Sequence, residues 1–330
     1  MGKRLYVLSS GRLRRHQNTL VLETDEGKRF FPVEQVEEIH VFGEVDLNKR
    51  LLGFLTQQHI PVHFYGHNGY YIGTYYPREH YNSGYMILRQ AEHYLDEEKR
   101  LDLARRFVDG ALFNLRKVVR YYRNRGKEVA TFEEAIERHR ARLPAATTPA
   151  ALMQVEGQAR EAYYQAFDRI LEKPDFAFGT RSRRPPRNRI NALISFGNTL
   201  LYTAVLSQIY RTHLDPRIGY LHATNFRRFS LNLDVAEVFK PLLVDRTIFR
   251  LIATEQLQAR HFDEELGGIY LDERGRKIFL QAWEQRLETT FYHRGLKRKV
   301  SYRRALRLEL YKIQRHLMGE KPYTPFRARW

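Results

Sequence analysis

The hydrophobic pattern of the chain changes its period near Pro77, and this change constrains the fold more than any other feature. Before Pro77, short apolar runs are separated by turn residues, as at residues 25–27, and this spacing is typical of strands and hairpins. After residue 90, apolar residues recur three and four positions apart, as they do between Leu101 and Tyr122, which predicts long helices. The sequence therefore predicts two domains of different secondary structure.

These patterns predict an α+β protein. Residues 1–78 are expected to form a small N-terminal β-rich domain, in which one helix near residues 47–55 interrupts the strands. Residues 79–90 are polar and contain the breakers Asn82 and Gly84, so we predict a linker there. Residues 91–330 are expected to form a larger all-α domain.

Charge divides the chain at nearly the same place as the hydrophobic pattern. The 330 residues include 56 Lys and Arg against 38 Asp and Glu, a net charge of +18. Residues 1–75 carry +1 and residues 76–330 carry +17. The isoelectric point is near 10.0, and values above about 9 are typical of proteins that bind nucleic acids. The sequence thus predicts a polyanionic partner for the second domain.

Composition excludes several other classes of site. The chain has no cysteine, so disulfides, zinc–thiolate sites, iron–sulfur clusters and thiol nucleophiles are excluded. No apolar run approaches the roughly 20 residues of a membrane span. The apolar stretch that follows the basic N-terminus is too short for a signal peptide. We therefore expect a cytoplasmic protein.

Two basic segments are candidates for binding phosphate groups. One surrounds Pro185 and Pro186, and the other lies in residues 293–330, which carry a net charge of +10. The planar guanidinium group suits phosphate oxygens, and unpaired positive charge favours a polyanion. The alternatives are a solvated loop or pairing with the acids of residues 263–288. The predicted DNA-binding residues are Arg181, Arg183, Arg184, Arg187, Lys297, Arg298, Arg303 and Arg304.

Tyrosines are interleaved with the second basic segment. Each of them could either stack on a nucleic-acid base or pack in the protein core; they are Tyr292, Tyr302, Tyr311 and Tyr323.

A second candidate site combines one histidine with two acids. Asp234 and Glu237 are three residues apart on a predicted helix, so their carboxylates share one face. Ser230 is placed to cap that helix, and His222 lies across a short connection upstream. An oxygen-rich set with one imidazole suits Mg²⁺ or Mn²⁺ better than zinc. The alternative is that these residues have structural roles only.

Glu156 is a third candidate. It lies in a predicted helix rich in Ala, Leu and Tyr, and Gly157 follows it. A glycine beside an acid allows a ligand or another backbone to approach closely. The alternative is an ordinary surface glutamate.

Five segments of the second domain form an ordered series of motifs, and two more occur in the first domain. Those of the second domain are residues 154–157 with Tyr163 and Tyr164, then 191–197, 215–222, 230–241 and 301–303; those of the first are 44–50 and 70–74. Together they resemble the CRISPR-associated endonuclease and integrase of spacer acquisition, the first-numbered family of Cas proteins. The resemblance covers almost the whole chain. Residues 225–229 depart from the family pattern, in which many members have glycine near this place.

The resemblance implies an N-terminal dimerisation domain and a helical catalytic and DNA-binding domain. It implies that Glu156, His222 and Glu237 hold Mg²⁺ or Mn²⁺, and that Asp234 assists them as a catalytic residue. The implied reaction is the attack of the 3′-hydroxyl of captured DNA on a phosphodiester of a CRISPR repeat.

The resemblance also implies partners. These are double-stranded DNA with 3′ ends, CRISPR repeat DNA, a second copy of the chain, and the small second-numbered CRISPR-associated protein, with no membrane. Two functions from other classes are alternatives: a non-catalytic nucleic-acid-binding module and a metal-dependent RNA nuclease.

Overall fold

A computed structural model describes residues 3–78, 81, 83–224, 229–265 and 267–329. The chain divides into two compact units, Met1–Asn82 and Ser83–Trp330. The N-terminal unit is built of strands and the C-terminal unit is mostly helical, which confirms the predicted fold class.

The N-terminal unit contains eight strands and one helix among its described residues. They are β1 (Lys3–Val7), β2 (Gly11–His16), β3 (Thr19–Thr24), β4 (Gly27–Pro32), β5 (Val36–Val41), β6 (Val45–Asp46), α1 (Lys49–Gln57), β7 (Val62–Tyr65) and β8 (Tyr71–Tyr75). The strands form two four-stranded sheets, ordered β1-β5-β7-β8 and β4-β3-β2-β6. The predicted turn at residues 25–27 joins β3 to β4, which pair antiparallel.

The hydrophobic core of this unit takes side chains from both sheets and from α1. Leu13 and Leu20 of the second sheet, Ile39 and Val62 of the first, and Leu51 of α1 are fully buried in one cluster. Successive side chains of a strand point to opposite faces. The neighbours of Ile39 and Val62 in the sequence therefore lie on the other face of the first sheet.

The helical unit contains nine α-helices and two hairpins among its described residues. They are α2 (Gly84–Leu95), α3 (Glu97–Arg123), α4 (Ala130–Ala141), α5 (Pro149–Leu171), α6 (Arg189–Ile209), α7 (Leu231–Lys240), α8 (Arg246–Ala253), β9 (Phe262–Glu265), β10 (Gly268–Leu271), α9 (Glu273–Glu288), β11 (Thr290–His293), β12 (Arg298–Ser301) and α10 (Tyr302–Leu317). Helix α5 begins as the sequence indicates, because Thr148 Oγ1 accepts the N–H of Ala151 and Pro149 occupies the first turn.

Helix α6 lies at the centre of the helical unit. It contacts α7, α10 and β10, and 16 of its residues are buried. By length and composition alone it could span a membrane, but most of it is buried inside the protein, as in the core helix of a globular unit.

Two features of the helical unit differ from the prediction. Helix α2 begins at Gly84, with Ser83 accepting the N–H of Met86 at 3.3 Å, so residues 84–90 are helical rather than a linker. The serine cap offsets the helix-breaking tendency of Gly84. The predicted all-α region also contains β9–β10 and β11–β12, whose four-residue strands are too short to give a clear periodic signal.

Candidate active site

His222 and Asp234 lie against each other at the beginning of α7. The Nδ1 atom of His222 is 2.7 Å from Oδ1 of Asp234, whose side chain is fully buried. Burial lowers the pKa of His222, but the hydrogen bond to Asp234 and the charges of Asp234 and Glu237 outweigh burial, and the pKa is raised. A carboxylate that accepts from Nδ1–H leaves Nε2 as the nitrogen that can bind a metal.

Asp234 also fixes the loop that carries His222. Its oxygens accept the backbone N–H groups of Tyr220 at 2.6 Å, Leu221 at 3.0 Å and His222 at 3.0 Å. A Cβ at Gly219 would lie 2.9 Å from Oδ2 of Asp234 and 2.7 Å from the backbone carbonyl carbon of Ser230, so this approach requires glycine. Asp234 therefore orients His222 and its loop together.

Ser230 does not cap α7, in contrast to the prediction. Its hydroxyl accepts the N–H of Gly219 at 2.8 Å and donates to the carbonyl of Arg217 at 2.7 Å. Helix α7 begins at Leu231 with no side-chain cap. The serine hydroxyl therefore bonds to the backbone of the preceding loop and not to the first turn of α7. The departure from the family pattern at residues 225–229 lies almost entirely outside the described residues.

Glu237 is buried between two cations. Arg160 donates from Nη2 to Oε2 of Glu237 at 2.5 Å, and Lys240 donates from Nζ to Oε1. Burial raises the pKa of Glu237, but the charges of Lys240, Arg160 and His222 lower it to about 2. Glu237 is therefore ionised at neutral pH.

Arg160 joins Glu237 to Glu156. Its Nε donates to Oε1 of Glu156 at 2.5 Å, so one guanidinium group bridges a carboxylate of α5 and a carboxylate of α7. The sequence interpretation missed Arg160 and Lys240. A signal existed, because Arg160 follows Glu156 by four residues and Lys240 follows Glu237 by three, spacings at which opposite charges pair on a helix.

The structure brings the four predicted residues into one charged cluster, with Arg160 between the two glutamates. Hydrogen bonds join Asp234 to His222 and, through Arg160, Glu156 to Glu237. The charge of His222 also helps to lower the pKa of Glu237. A tighter cluster lies elsewhere. Within the described ranges, the His and acidic groups whose possible ligand atoms all lie within 4.8 Å of one another are Glu38, His40 and His63 of the N-terminal unit.

Gly157 is not required by close packing. No heavy atom outside its own helical turn lies within 4 Å of the position that a Cβ would occupy there, among the parts of the chain that the structure describes. Of the two groups that this glycine would admit, a described backbone segment therefore does not use the space, and the approach of a ligand stays a prediction.

Asp245 is a further buried acid that the sequence interpretation missed. It ends the π-helical turn Pro241–Asp245, which follows α7, and it is 1% exposed. Burial raises its pKa to about 7, although the charge of Arg160 acts in the opposite direction. A π-helical turn often marks a functional site, and this one lies directly after the helix that carries Asp234 and Glu237.

Most of the predicted DNA-binding residues lie in two surface segments. One is the loop between α5 and α6, and the other is the tip of the β11–β12 hairpin. The exposed residues are Arg183, Arg184, Arg187, Lys297 and Arg298, and Arg304 is half-buried. Their exposure is compatible with the predicted contacts to phosphate.

Arg303 and Arg181 require a correction, because both turn inward. Arg303 is 4% exposed and pairs with Glu284 at 2.5 Å and with Glu288 at 2.9 Å. Arg181 donates to Oδ1 of Asn191 at 2.9 Å and is half-buried. Both guanidinium groups thus have partners within the protein. For Arg303, the alternative of pairing with acids of residues 263–288 is the correct one.

The four tyrosines of the basic tail divide evenly. Tyr302 and Tyr323 are buried, and Tyr323 donates to Glu309 at 2.7 Å. Tyr292 and Tyr311 are 61% and 37% exposed. Of these four tyrosines, Tyr292 and Tyr311 are therefore the ones that could stack on bases.

Comparison with known proteins gives the family. The family model described as CRISPR associated protein Cas1 matches residues 5–285. A protein of Thermodesulfovibrio yellowstonii named CRISPR-associated endonuclease Cas1 2 is 56% identical over 330 residues, which cover the whole of both chains. The solved structure of a Cas1 protein from Thermotoga maritima is 48% identical, with a TM-score of 0.90 over 97% of this chain and 98% of that one. The protein is thus of the CRISPR-associated class, and the chain belongs to the Cas1 family.

More distant solved structures share the fold. A casposase bound to an integration product is 19% identical, with a TM-score of 0.90 over 99% of this chain and 94% of that one. A chain of a Cas6-RT-Cas1–Cas2 complex is also 19% identical, with a TM-score of 0.86 over 100% of this chain and 36% of that one. The fold of the whole chain is therefore retained where little sequence identity remains.

Proposed function

We propose that this chain is a metal-dependent DNA endonuclease and integrase that inserts captured DNA fragments into a CRISPR array. The observation that carries the proposal is the convergence of His222, Asp234 and Glu237 with Glu156 in the unit that holds nearly all of the net positive charge. The endonuclease name of a relative that is 56% identical over the whole chain supports it.

Glu156, His222 and Glu237 would hold the divalent ion. The donor set fits Mg²⁺ or Mn²⁺, since it combines two carboxylates with one imidazole. The contacts fit as well, because both glutamates already bind a cationic side chain and Glu237 is ionised. When bound, such an ion neutralises charge that develops on the scissile phosphate and lowers the pKa of the attacking hydroxyl.

The other residues of the cluster keep these donors in the required form. Asp234 holds the proton on Nδ1 of His222 and so directs Nε2 outward from the pair. Lys240 and Arg160 keep Glu237 ionised in spite of its burial. Attack by a 3′-hydroxyl on a repeat phosphodiester gives integration, and attack by water gives cleavage.

Binding of DNA is assigned to the exposed basic segments. Arg183, Arg184, Arg187, Lys297 and Arg298 would contact phosphates, with Arg304 beside them. The proposed protein partners are a second copy of the chain, bound through the N-terminal unit, and the small second-numbered CRISPR-associated protein. The occurrence of this fold in a Cas6-RT-Cas1–Cas2 complex supports the latter. The proposed location is the cytoplasm.

The proposal is tested by an integration assay on a supercoiled plasmid that carries a CRISPR repeat, with and without the small partner. We expect joined products that depend on Mg²⁺ or Mn²⁺. Glu156→Gln should abolish them, whereas Glu161→Gln, at an exposed position of the same helix, should not. Retention of integration by Glu156→Gln within a few fold would refute the site. Cleavage of RNA instead of DNA would favour an RNA nuclease, and binding without any reaction would favour a non-catalytic module.

A further inference from the structure

One face of the β1-β5-β7-β8 sheet packs on the hydrophobic core, and the opposite face carries buried polar side chains. His40 of β5 is the register partner of His63 of β7, and Glu38 lies two residues before His40 on the same face. Glu38, His40 and His63 are 1%, 2% and 0% exposed. Burial of three such groups is costly unless they are compensated by hydrogen bonds or by a cation.

We propose that Glu38, His40 and His63 form a second metal site, which binds a divalent transition ion of the zinc class. Their possible ligand atoms all lie within 4.8 Å of one another. Donors at about 2.0–2.1 Å from a tetrahedral zinc ion are roughly 3.4 Å apart. Small side-chain rotations would therefore bring all three onto one ion. Two imidazoles and a carboxylate are a known zinc ligand set with a fourth position for water.

Each histidine of this cluster has a hydroxyl group at Nδ1. Nδ1 of His40 is 2.8 Å from the hydroxyl of Tyr65, and Nδ1 of His63 is 2.8 Å from Oγ1 of Thr74. A hydroxyl can accept from Nδ1–H, and in that tautomer the other ring nitrogen presents a lone pair to a metal. The rings are adjacent, with centroids 4.9 Å apart. The Nε2 atoms are the ligand atoms of the proposed site, and at His40 the metal would replace the present contact of Nε2 with Oε1 of Glu38.

Glu38 provides an independent sign that a cation belongs here. Its Oε2 atom is buried and has no hydrogen-bond partner among the described residues. A carboxylate oxygen in that state carries an uncompensated desolvation cost. A metal ion bound by Oε2 and by the two imidazoles would remove this desolvation cost.

Arg4 defines the competing explanation. It pairs with Oε1 of Glu38, and Nε2 of His40 is 3.2 Å from the same oxygen. If these contacts were the whole purpose of the cluster, it would be a buried ion pair that fixes the register of β1 and β5. The two explanations predict different responses to added metal.

The test uses the full chain, stripped of metal by a chelator and titrated with Co²⁺ as a spectroscopic probe. The His222→Gln background removes the imidazole of the candidate active site. We expect this chain to bind one Co²⁺, with the visible absorption of a four-coordinate ion. The addition of His63→Gln should weaken that binding at least about a hundredfold, since it removes a ligand rather than an outer partner.

His16→Gln in the same background is the matched control. His16 is exposed in the same unit, so Co²⁺ binding should not change. The proposal is overturned if the His222→Gln chain binds no Co²⁺ saturably, or if binding survives His63→Gln.

A second measurement covers the case in which His63→Gln fails to fold, as judged by circular dichroism. X-ray absorption of the Zn²⁺-loaded His222→Gln chain should then reveal two imidazole ligands and oxygen donors. A spectrum with a single imidazole, or with none, would reject the site and leave the buried ion pair.

Discussion

The two units bring histidines and carboxylates together by different means. In the N-terminal unit, the register of neighbouring strands places His40 beside His63, and the period of two places Glu38 on the same face. In the helical unit, Glu156 and Glu237 come from different helices, and both accept hydrogen bonds from Arg160. A sheet thus assembles such a cluster by hydrogen-bond register, whereas a helical unit depends on the packing of its helices.

The pKa values of His63 and His222, one from each cluster, are shifted in opposite directions. His63 is buried beside other positive groups, and its pKa is lowered. His222 is held by Asp234, and its pKa is raised. Burial opposes the charged form in both places, so the neighbouring charge decides the direction. Four experiments test how far this contrast between the units extends.

The largest effect is expected from Glu237→Gln. Loss of a proposed metal ligand should reduce DNA cleavage at least about a hundredfold, because loss of an outer partner alone typically costs 10–100-fold. It should also destabilise the helical unit by about 3–5 kcal/mol, since Arg160 and Lys240 would lose a buried counter-charge. Cleavage assays and chemical denaturation measure the two effects.

Lys240→Met in the Glu237→Gln background separates stability from chemistry. It removes one of the two buried cations, so part of the lost stability should return while cleavage stays absent. A double variant that regains cleavage would contradict the assignment of Glu237.

Asp234→Asn should have the next largest effect. The carboxylate accepts hydrogen bonds from Nδ1–H of His222 and from three backbone N–H groups. An amide cannot accept all four, because only its oxygen is an acceptor. We expect a 10–100-fold loss of cleavage, together with a changed tautomer of His222 in ¹⁵N NMR spectra. Asp263→Asn, at an exposed position, serves as the control. An unchanged tautomer would refute the positioning role.

Mild acid should affect the surroundings of His63 and of His222 in opposite directions. Because the folded pKa of His63 is lowered, its contribution to stability is complete above an unfolded pKa of about 6.5 and falls as the pH drops below it, by up to about 1.4 kcal/mol per pH unit. Because the pKa of His222 is raised, its contribution is complete below about 6.5 and is lost as the pH rises through the folded pKa.

Amide hydrogen exchange at pH 7.5 and 5.5 measures this contrast. After correction for intrinsic rates, β5 and β7 should lose protection at the lower pH while α7 does not. His63→Gln should remove the pH dependence of β5 and β7. Equal loss of protection in α7 and in β5 and β7 would contradict the prediction.

The smallest effect on chemistry is expected from charge reversal at Arg184, Arg187 and Arg298. These exposed residues should contribute to affinity for DNA, and each lost phosphate contact should reduce the slope of log affinity against log salt by about 0.9. The rate at saturating DNA should stay within a few fold. Arg303→Gln is the contrasting variant, since loss of its pairs with Glu284 and Glu288 should lower the Tm without changing the slope.

The fold class was accessible from sequence because it depends on local periodicity. The hairpin between β3 and β4, the start of α5 at Thr148 and Pro149, and the change from strands to helices all follow from neighbouring residues. The start of α2 was missed because the cap of Ser83 outweighs the helix-breaking character of Gly84. Family membership followed from motifs in series, which no single spacing could give.

The sequence by itself determined which residues could carry charge, bind phosphate or accept a proton, because side-chain chemistry and helical spacing are local properties. It named Glu156, His222, Asp234 and Glu237. Only the tertiary structure decided which of the charges meet. It turned Arg303 toward α9 and placed Arg160 between two helices, and it aligned His40 with His63 across two strands. Burial and the pairing of charges depend on segments distant in the chain, so no local pattern contains them.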